Sequence, residues 1–253
     1  VINKSGGAGA EGFLDAKGST GNPHKIIITL SNLFTTPLAT GIPFSWKDLT
    51  PVAMLALDEF VLWVNSESEY KTPAAFLEAA KKDPGSFRMG GTGSKREDHI
   101  ISSAIERAGG VKFGYIPYKS GGEAATQLVG KHTEANLNNP SENAAVWRAG
   151  QVKALCIFDK ERLPYDKKVT ADQSWKDIPT CREEGVDFDY VMLRGIFLPG
   201  NVTPEQVAFY EDLFRKISET PEYKAYLESQ ALKGAFIAGA EMKTFLEKDE
   251  ALH

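Results

Sequence analysis

The residues best suited to chemistry are Gly91-Thr92-Gly93-Ser94. They follow a strand-like stretch, Ser86-Phe87-Arg88-Met89-Gly90, and lead into a helical stretch with His99 and Ile100-Ile101. Glycines at a strand end let the backbone turn its N–H groups toward a ligand, and a helix starting just after them adds partial positive charge there. Thr92 and Ser94 supply hydroxyls that donate or accept. A second loop of the same make, Pro117-Tyr118-Lys119-Ser120-Gly121-Gly122, lies between the apolar run 113–116 and another helical stretch. Together the loops point to a carboxylate or phosphate ligand. Taken singly, a Gly-Thr-Gly-Ser loop is equally well explained as a tight turn with an N-cap serine. Neither loop is a nucleotide fingerprint. Position 96 is Arg where a third glycine belongs, and Gly130-Lys131 is followed by His132.

Other polar residues fall at the same level of the expected sheet. Asn136, Asn138 and Asn139 end a strand before Pro140-Ser141 opens a helix. They place neutral donors beside the two glycine loops, in the crevice at the carboxyl ends of parallel strands where open α/β sheets bind ligands. Amides in an ordinary turn remain the alternative. His99 either lines the site or acts as a solvated or capping histidine. Arg194 interrupts the apolar stretch 190–197 and either pairs with a structural carboxylate or offers its fork to an anion.

No catalytic constellation assembles. Ser94 sits in Gly-Ser-Lys-Arg-Glu rather than Gly-x-Ser-x-Gly, His24 and His132 fall at expected exposed turns, and carboxylates such as Glu78 and Glu183-Glu184 read as helix-face charges. Two cysteines 25 positions apart and four scattered histidines show no metal-ligand spacing. Cys156 lies in the apolar stretch 152–158 and Cys181 at an expected helix start. A disulfide between them and a pair of inert thiols both stay open.

The elements that must position these residues alternate along the chain. Ile26–Leu30 and 60–64 read as buried strands, and 52–57 with 59–64 as a long extended stretch. Helices are expected at 74–82, 98–108, 122–129 and 141–149, with strands at 86–90, 113–118, 133–138 and 152–158. Residues 160–176 read as a surface excursion. Residues 189–198 are extended again, and the chain is expected to be helical from there to its end, at 204–218, 220–231 and 240–251. Thr72-Pro73, Thr203-Pro204 and Thr220-Pro221 each place a threonine cap before a proline at the first helical position. This is a βαβ rhythm, so largely parallel sheets flanked by helices are expected. The stretches 52–64 and 189–198 bracket the regular block and suit crossings between two lobes; central strands of one sheet are the alternative.

The net charge of −5 and the lack of a basic stripe disfavour a nucleic-acid partner. No apolar run approaches the ~18–20 residues that span a bilayer. The chain starts at Val1, at what reads as the end of a strand, and is expected to lack an opening segment.

The ordered blocks resemble the periplasmic solute-binding proteins of tripartite tricarboxylate transporters, the Bug-type receptors. Carrying the resemblance are Gly6-Gly7-Ala8-Gly9 after an Asn-Lys pair, Gly91-Thr92-Gly93-Ser94 and Pro117–Ala124. Ala149–Leu155, Ile178-Pro179-Thr180 with Glu183-Glu184-Gly185, and Arg194-Gly195-Ile196 to Pro199 follow in order. The resemblance covers essentially the whole chain. It implies an α/β two-lobe periplasmic-binding-protein-like fold of type II, with residues 1–63 plus 194–253 as one lobe, 64–193 as the other, and two crossing strands as hinge. It also implies a monomeric periplasmic receptor that closes over a small mono-, di- or tricarboxylate, delivers it to a membrane transporter, and has neither catalysis nor cofactor. By matching motif, Gly91, Thr92, Gly93, Ser94, Tyr118, Gly121 and Gly122 are ligand residues, and Ser31 and Asn32 correspond to a first-lobe ligand loop. With His99, Asn138, Asn139 and Arg194 these make up the expected site.

Three departures from the family pattern stand out. Its opening strand and ligand loop are absent, Asn22-Pro23-His24-Lys25 replaces Pro-Asp-Gly-Tyr, and the acidic strand position appears as Glu134 with Asn138-Asn139 following. An α/β enzyme acting on a phosphorylated or carboxylated metabolite, with His99 as base, and a sensor ectodomain remain the alternatives. The identity of the carboxylate is not legible.

Overall fold

The computed structural model describes residues 1–4 and 6–253, which divide into two compact units. Unit 1 comprises Val1–Leu57, Met192–Leu227 and Gly234–His253; unit 2 comprises Asp58–Val191 and Glu228–Lys233.

Unit 2 is built on a five-stranded sheet. Its strands are β3 (Val61–Asn65), β4 (Arg88–Thr92), β5 (Gly114–Tyr118), β6 (Ala135–Asn138) and β7 (Val152–Ile157), in the order β5-β4-β6-β3-β7. β4 pairs in parallel with both neighbours, Gly91 opposite Pro117 and Gly90 opposite Asn136. The helices that follow these strands are α4 (Glu97–Gly109), α5 (Gly121–Val129) and α6 (Pro140–Arg148), with α3 (Pro73–Lys82) preceding β4. β3 runs antiparallel to β6 and β7, which corrects the expectation of a largely parallel sheet here. The β3–β4 connection through α3 enters β4 from the opposite end, so the parallel rule for βαβ units applies only from β4 onward.

Aromatic packing fixes unit 2. Three of the chain's four tryptophans, Trp63, Trp147 and Trp175, pack in one cluster, with ring centroids of Trp147 and Trp175 4.7 Å apart. Phe76 of α3 meets Tyr70, Phe87 and Phe113 in a second aromatic group. Cys156 on β7 is bonded to Cys181, and the backbone reinforces that link, Cys181 donating its N–H to the Ile157 carbonyl at 2.8 Å. Cys181 stands in a turn rather than at the expected helix start.

Unit 1 contains β1 (Ile27–Thr29), β2 (Leu49–Glu59), β8 (Val191–Pro199) and β9 (Lys233–Ala238), in the order β1-β8-β2-β9. β2 and β8 carry the chain across the unit boundaries. α1 (Ala10–Lys17), α2 (Asn32–Thr40) and α9 (Gly239–Leu252) belong to this unit, with Phe13, Phe44, Met54, Leu193, Phe197 and Leu246 in its core. α7 (Pro204–Glu219) packs Val207, Tyr210 and Phe214 against Val52, Ala53, Ile196 and Leu198. α8 (Pro221–Gln230) follows, and the threonine caps form as the sequence requires: Thr203 caps α7 reciprocally with Gln206, and Thr220 accepts from the Tyr223 N–H.

Two expectations fail here. The expected strand Ile26–Leu30 forms only over Ile27–Thr29, as the edge strand β1 with Ile28 71% exposed, because its only strand neighbour among the described residues is β8. The C-terminal region is not helical throughout. β9 interrupts it, with Phe236 and Ala238 packing against the Val52–Leu198 group.

Reducing the Cys156–Cys181 bond, or replacing both cysteines with Ala, removes a cross-link between residues 25 positions apart. The expected loss is about 3 kcal/mol of unfolding free energy, measured in denaturant with and without reductant.

Candidate functional site

Because β5, β4 and β6 are adjacent and parallel, they end at one edge of unit 2, and the helices α5, α4 and α6 begin there. The first N–H groups of a helix lack intrahelical acceptors, so three N-termini side by side form a donor-rich edge, although each first turn also carries a carboxylate: Glu97 and Asp98, Glu123, and Glu142. The exposed Ser94, Ser120 and Gly122, with half-buried Thr92 and Tyr118, stand along it.

The loop after β4 is held from several sides. The Gly93 N–H donates to the Tyr118 carbonyl at 2.9 Å, and the Tyr115 hydroxyl donates to the Gly93 carbonyl at 2.9 Å. Asp98 accepts from the Thr92 N–H. His99 Nδ1 accepts from the Lys95 N–H at 3.1 Å, while its ring stacks on Tyr115 with centroids 4.1 Å apart. Gly93 turns the chain at φ 70°, and Lys95 takes φ 59°, a conformation that costs a residue with a β-carbon. Gly91 is glycine for a steric reason: a β-carbon there lies 2.5 Å from the Tyr115 hydroxyl and 2.6 Å from Asp98 Cβ.

The second loop follows the same logic. Ser120 caps α5 by accepting from the Glu123 N–H at 3.2 Å, and Glu123 accepts from the Lys119 N–H at 2.9 Å. Gly121 lies against Asn138, whose Oδ1 stands 2.6 Å from a β-carbon built there. Asn138 Nδ2 donates to the Gly121 carbonyl at 2.9 Å and to Asn143 Oδ1 at 2.7 Å, and Asn143 Nδ2 donates to Asn136 Oδ1 at 3.3 Å. Asn139 Nδ2 donates to the Glu59 carbonyl at 2.9 Å.

The structure thus brings Gly91, Thr92, Gly93, Ser94, His99, Tyr118, Gly121, Gly122, Asn138 and Asn139 to one edge of unit 2. Within that group the amides and His99 hold backbone: both Asn138 amide hydrogens go to protein acceptors, and Glu134 is tied to Arg88 through three hydrogen bonds at 2.6–3.1 Å. Asp98, Tyr115 and Asn143 escaped sequence reasoning. In the sequence Asp98 is only the first residue of an expected helix, and the fold reveals its burial.

Ser31, Asn32 and Arg194 belong to unit 1. Ser31 is buried, accepting from the Leu193 N–H at 3.2 Å and donating to Asp249 at 3.4 Å. Asn32 Nδ2 donates to the Ala8 carbonyl at 3.0 Å, joined there by the Thr36 hydroxyl at 2.9 Å. These bonds hold a turn in which Gly7, Ala8 and Gly9 are all left-handed, with φ of 59°, 59° and 97°. Arg194 is half-buried on β8.

Burial governs the electrostatics of unit 2. It pushes the Asp98 carboxyl up to about 7 against the pull of the Thr92 N–H, raises the Tyr115 hydroxyl, and lowers His99. A second buried group gathers Asp58, Glu59 and Asp159, with Lys233 bonded to Asp159 at 2.8 Å. Neither Glu59 oxygen has a hydrogen-bond partner, and burial, with Asp159 and Asp58 adding repulsion, holds the Glu59 carboxyl well above its ordinary range. Among the described residues no group of three or more His, Cys, Asp or Glu is arranged to hold a metal ion. Among the described residues no helix is long and apolar enough to cross a membrane.

Comparison with known proteins gives one consistent answer. The family profile described as "Tripartite tricarboxylate transporter family receptor" matches residues 1–251. Protein BugT of Bordetella pertussis is 26% identical over 245 residues, 93% of this chain and 70% of the relative. The crystal structure of a TctC solute-binding protein from Polaromonas superposes with TM-score 0.80 at 27% identity, covering 99% of this chain and 83% of that one. Rpa4515 of R. palustris, solved with adipate, superposes with TM-score 0.82 at 17% identity, covering 98% and 80%.

Two substitutions separate the glycine roles. Gly91→Ala is expected to destabilise unit 2 by roughly 1–3 kcal/mol through overpacking. Gly122→Ala, whose nearest neighbour would lie 3.9 Å away, is expected to be neutral or slightly stabilising. Equilibrium unfolding of both variants checks the contrast. For Glu59 the sign follows from linkage. Its folded-state affinity for a proton exceeds the unfolded one, so stability falls as pH rises above ~4 toward the raised folded value. Glu59→Gln should therefore lose less stability than the parent between pH 5 and pH 8, measured by urea unfolding.

Proposed function

We propose that this chain, which belongs to the tripartite tricarboxylate transporter receptor family, is an extracytoplasmic receptor that captures a small carboxylate and presents it to the membrane subunits of such a transporter. The observation that carries the reading is the convergence of the α4, α5 and α6 N-termini at one sheet edge with Thr92, Ser94 and Ser120. Such an edge suits an anion with several acceptor oxygens, held by amides and hydroxyls rather than by a fixed cation. Adipate in the R. palustris fold neighbour supports a carboxylate as that anion. In this reading the ligand is a mono-, di- or tricarboxylate, and Thr92, Ser94, Tyr118, Gly121 and Gly122 provide the donors.

Residues 1–63 with 194–253 and residues 64–193 act as two lobes joined by crossing strands, and lobe closure and binding are one event. The division into two compact units supports two lobes, with 58–63 and 228–233 falling in the second unit and 192–193 in the first. Ser31, Asn32 and Arg194 are the ligand residues proposed for the first lobe. The Cys156–Cys181 disulfide supports an oxidising, periplasmic location. The receptor works as a monomer and carries out no reaction. In support, His99 commits Nδ1 to the Lys95 N–H and its face to Tyr115, which disfavours its use as a general base.

A thermal-shift screen with adipate, other carboxylates and phosphate esters tests the reading. A true ligand at one hundred times its dissociation constant adds ~2.7 kcal/mol of stability, and it is recovered unchanged after incubation. Ser94→Ala is expected to weaken the best carboxylate by roughly 1–3 kcal/mol, measured by calorimetry. A response to phosphate esters alone, or turnover of the added compound, defeats the receptor assignment.

A further inference from the structure

The loop after β4 is shaped by groups that lie outside it, and one of them is a buried carboxyl. Asp98 accepts from the Thr92 N–H, and its β-carbon packs against Gly91 where any side chain would collide. Tyr115 packs on the same glycine and holds the Gly93 carbonyl, and His99 stacks on Tyr115 and holds the Lys95 N–H. The loop that opens the proposed anion site is therefore set by three side chains packed behind it. Asp98 differs from the other two in bringing a carboxyl group, fully enclosed by protein, to a backbone amide of the loop.

The groups that face Asp98 are few. Its own helix contributes Glu97, itself buried, with Oε2 3.7 Å from Arg96 Nε and Oε1 without a hydrogen-bond partner. The residue before the helix contributes Arg96, and β5 contributes Tyr115. β4 faces it with the backbone of Gly91 and Thr92. One cation, one further carboxylate and a phenol do not offset the burial, so a second negative charge arriving at the loop acts on a carboxyl already close to taking a proton.

We infer that Asp98 is the proton-bearing positioning residue of this site: it holds the first amide of the loop, and it takes up a proton when a carboxylate or phosphate occupies the loop. This rests on the receptor reading for its ligand and on the geometry of unit 2 for its residue. The proton comes from solvent and forms one O–H bond on an Asp98 oxygen; the other oxygen keeps the Thr92 N–H, and no other bond changes. Binding is then tighter on the acid side of neutrality, because the ligand no longer meets a like charge behind the loop.

The test needs no ligand in its first arm. In the isotope-labelled full chain, the amide resonances of Thr92 and Gly93 should follow one titration step with a midpoint at about 7. Asp98→Asn keeps an oxygen for the Thr92 N–H and should abolish the step. A flat titration in the parent chain, or the same step in the variant, overturns the inference. The second arm uses adipate, with inorganic phosphate as the alternative anion, in calorimetry at pH 6 and pH 8 in buffers of different ionisation enthalpy. Expected are net proton uptake and an affinity roughly three- to tenfold higher at pH 6, both lost in Asp98→Asn. Binding without proton uptake overturns the coupling. Failure of both anions to bind, with the amide step present, tells against the receptor reading and upholds the role of Asp98 in setting the loop.

Discussion

The parallel pairing of β4 with β5 on one side and β6 on the other is the constraint on which the rest of unit 2 depends. Parallel neighbours end at the same edge, and each of these strands is followed, after a short loop, by a helix. The donor-rich edge therefore follows from hydrogen-bond register rather than from any single residue. A strand order that separated β5 from β6, or reversed one of them, would scatter the same glycines and hydroxyls over both ends of the sheet. The antiparallel β3 lies between β6 and the edge strand β7 and carries Trp63 into the tryptophan cluster, where its Nε1 donates to the Asn138 carbonyl at 3.3 Å, so the core anchors the register beside the loop end of β6.

Close approach is the second constraint. Gly91 lets Asp98 and Tyr115 reach the backbone of β4, and Gly121 lets Asn138 reach the start of α5. In both loops the side chains nearest the backbone are spent on holding it, while the exposed serines and first-turn amides stay on the outer side. Preorganisation of this kind lowers the entropy that a ligand must remove on binding. It also places titratable groups, Asp98 and His99, where burial works against their charged forms.

The two glycine loops, the threonine-capped helices and the alternation of strands and helices were readable in the sequence, because each rests on local backbone chemistry: left-handed turns, N-caps and short β-branched runs. The residues expected at the unit 2 site were nominated for that reason, as strand-end glycines and hydroxyls announce themselves within a few positions. What a residue does once it arrives was less legible. Asn138, Asn139 and His99 carry the same donors and acceptors whether they face a ligand or a neighbouring peptide, and only the fold commits them to Gly121, Glu59 and Lys95.

The sequence by itself determined the periodicity, the caps, the turn chemistry and the ordered motif blocks of a receptor family, since these depend on neighbours within a few residues. Tertiary structure decided what depends on distant partners. It set the antiparallel direction of β3, the edge position of β1 and the strand β9 inside an otherwise helical C-terminal region. It joined Cys156 to Cys181, and it buried Asp98 and Glu59. Burial and pairing are properties of what surrounds a residue, and for these residues the surroundings come from parts of the chain far away in sequence.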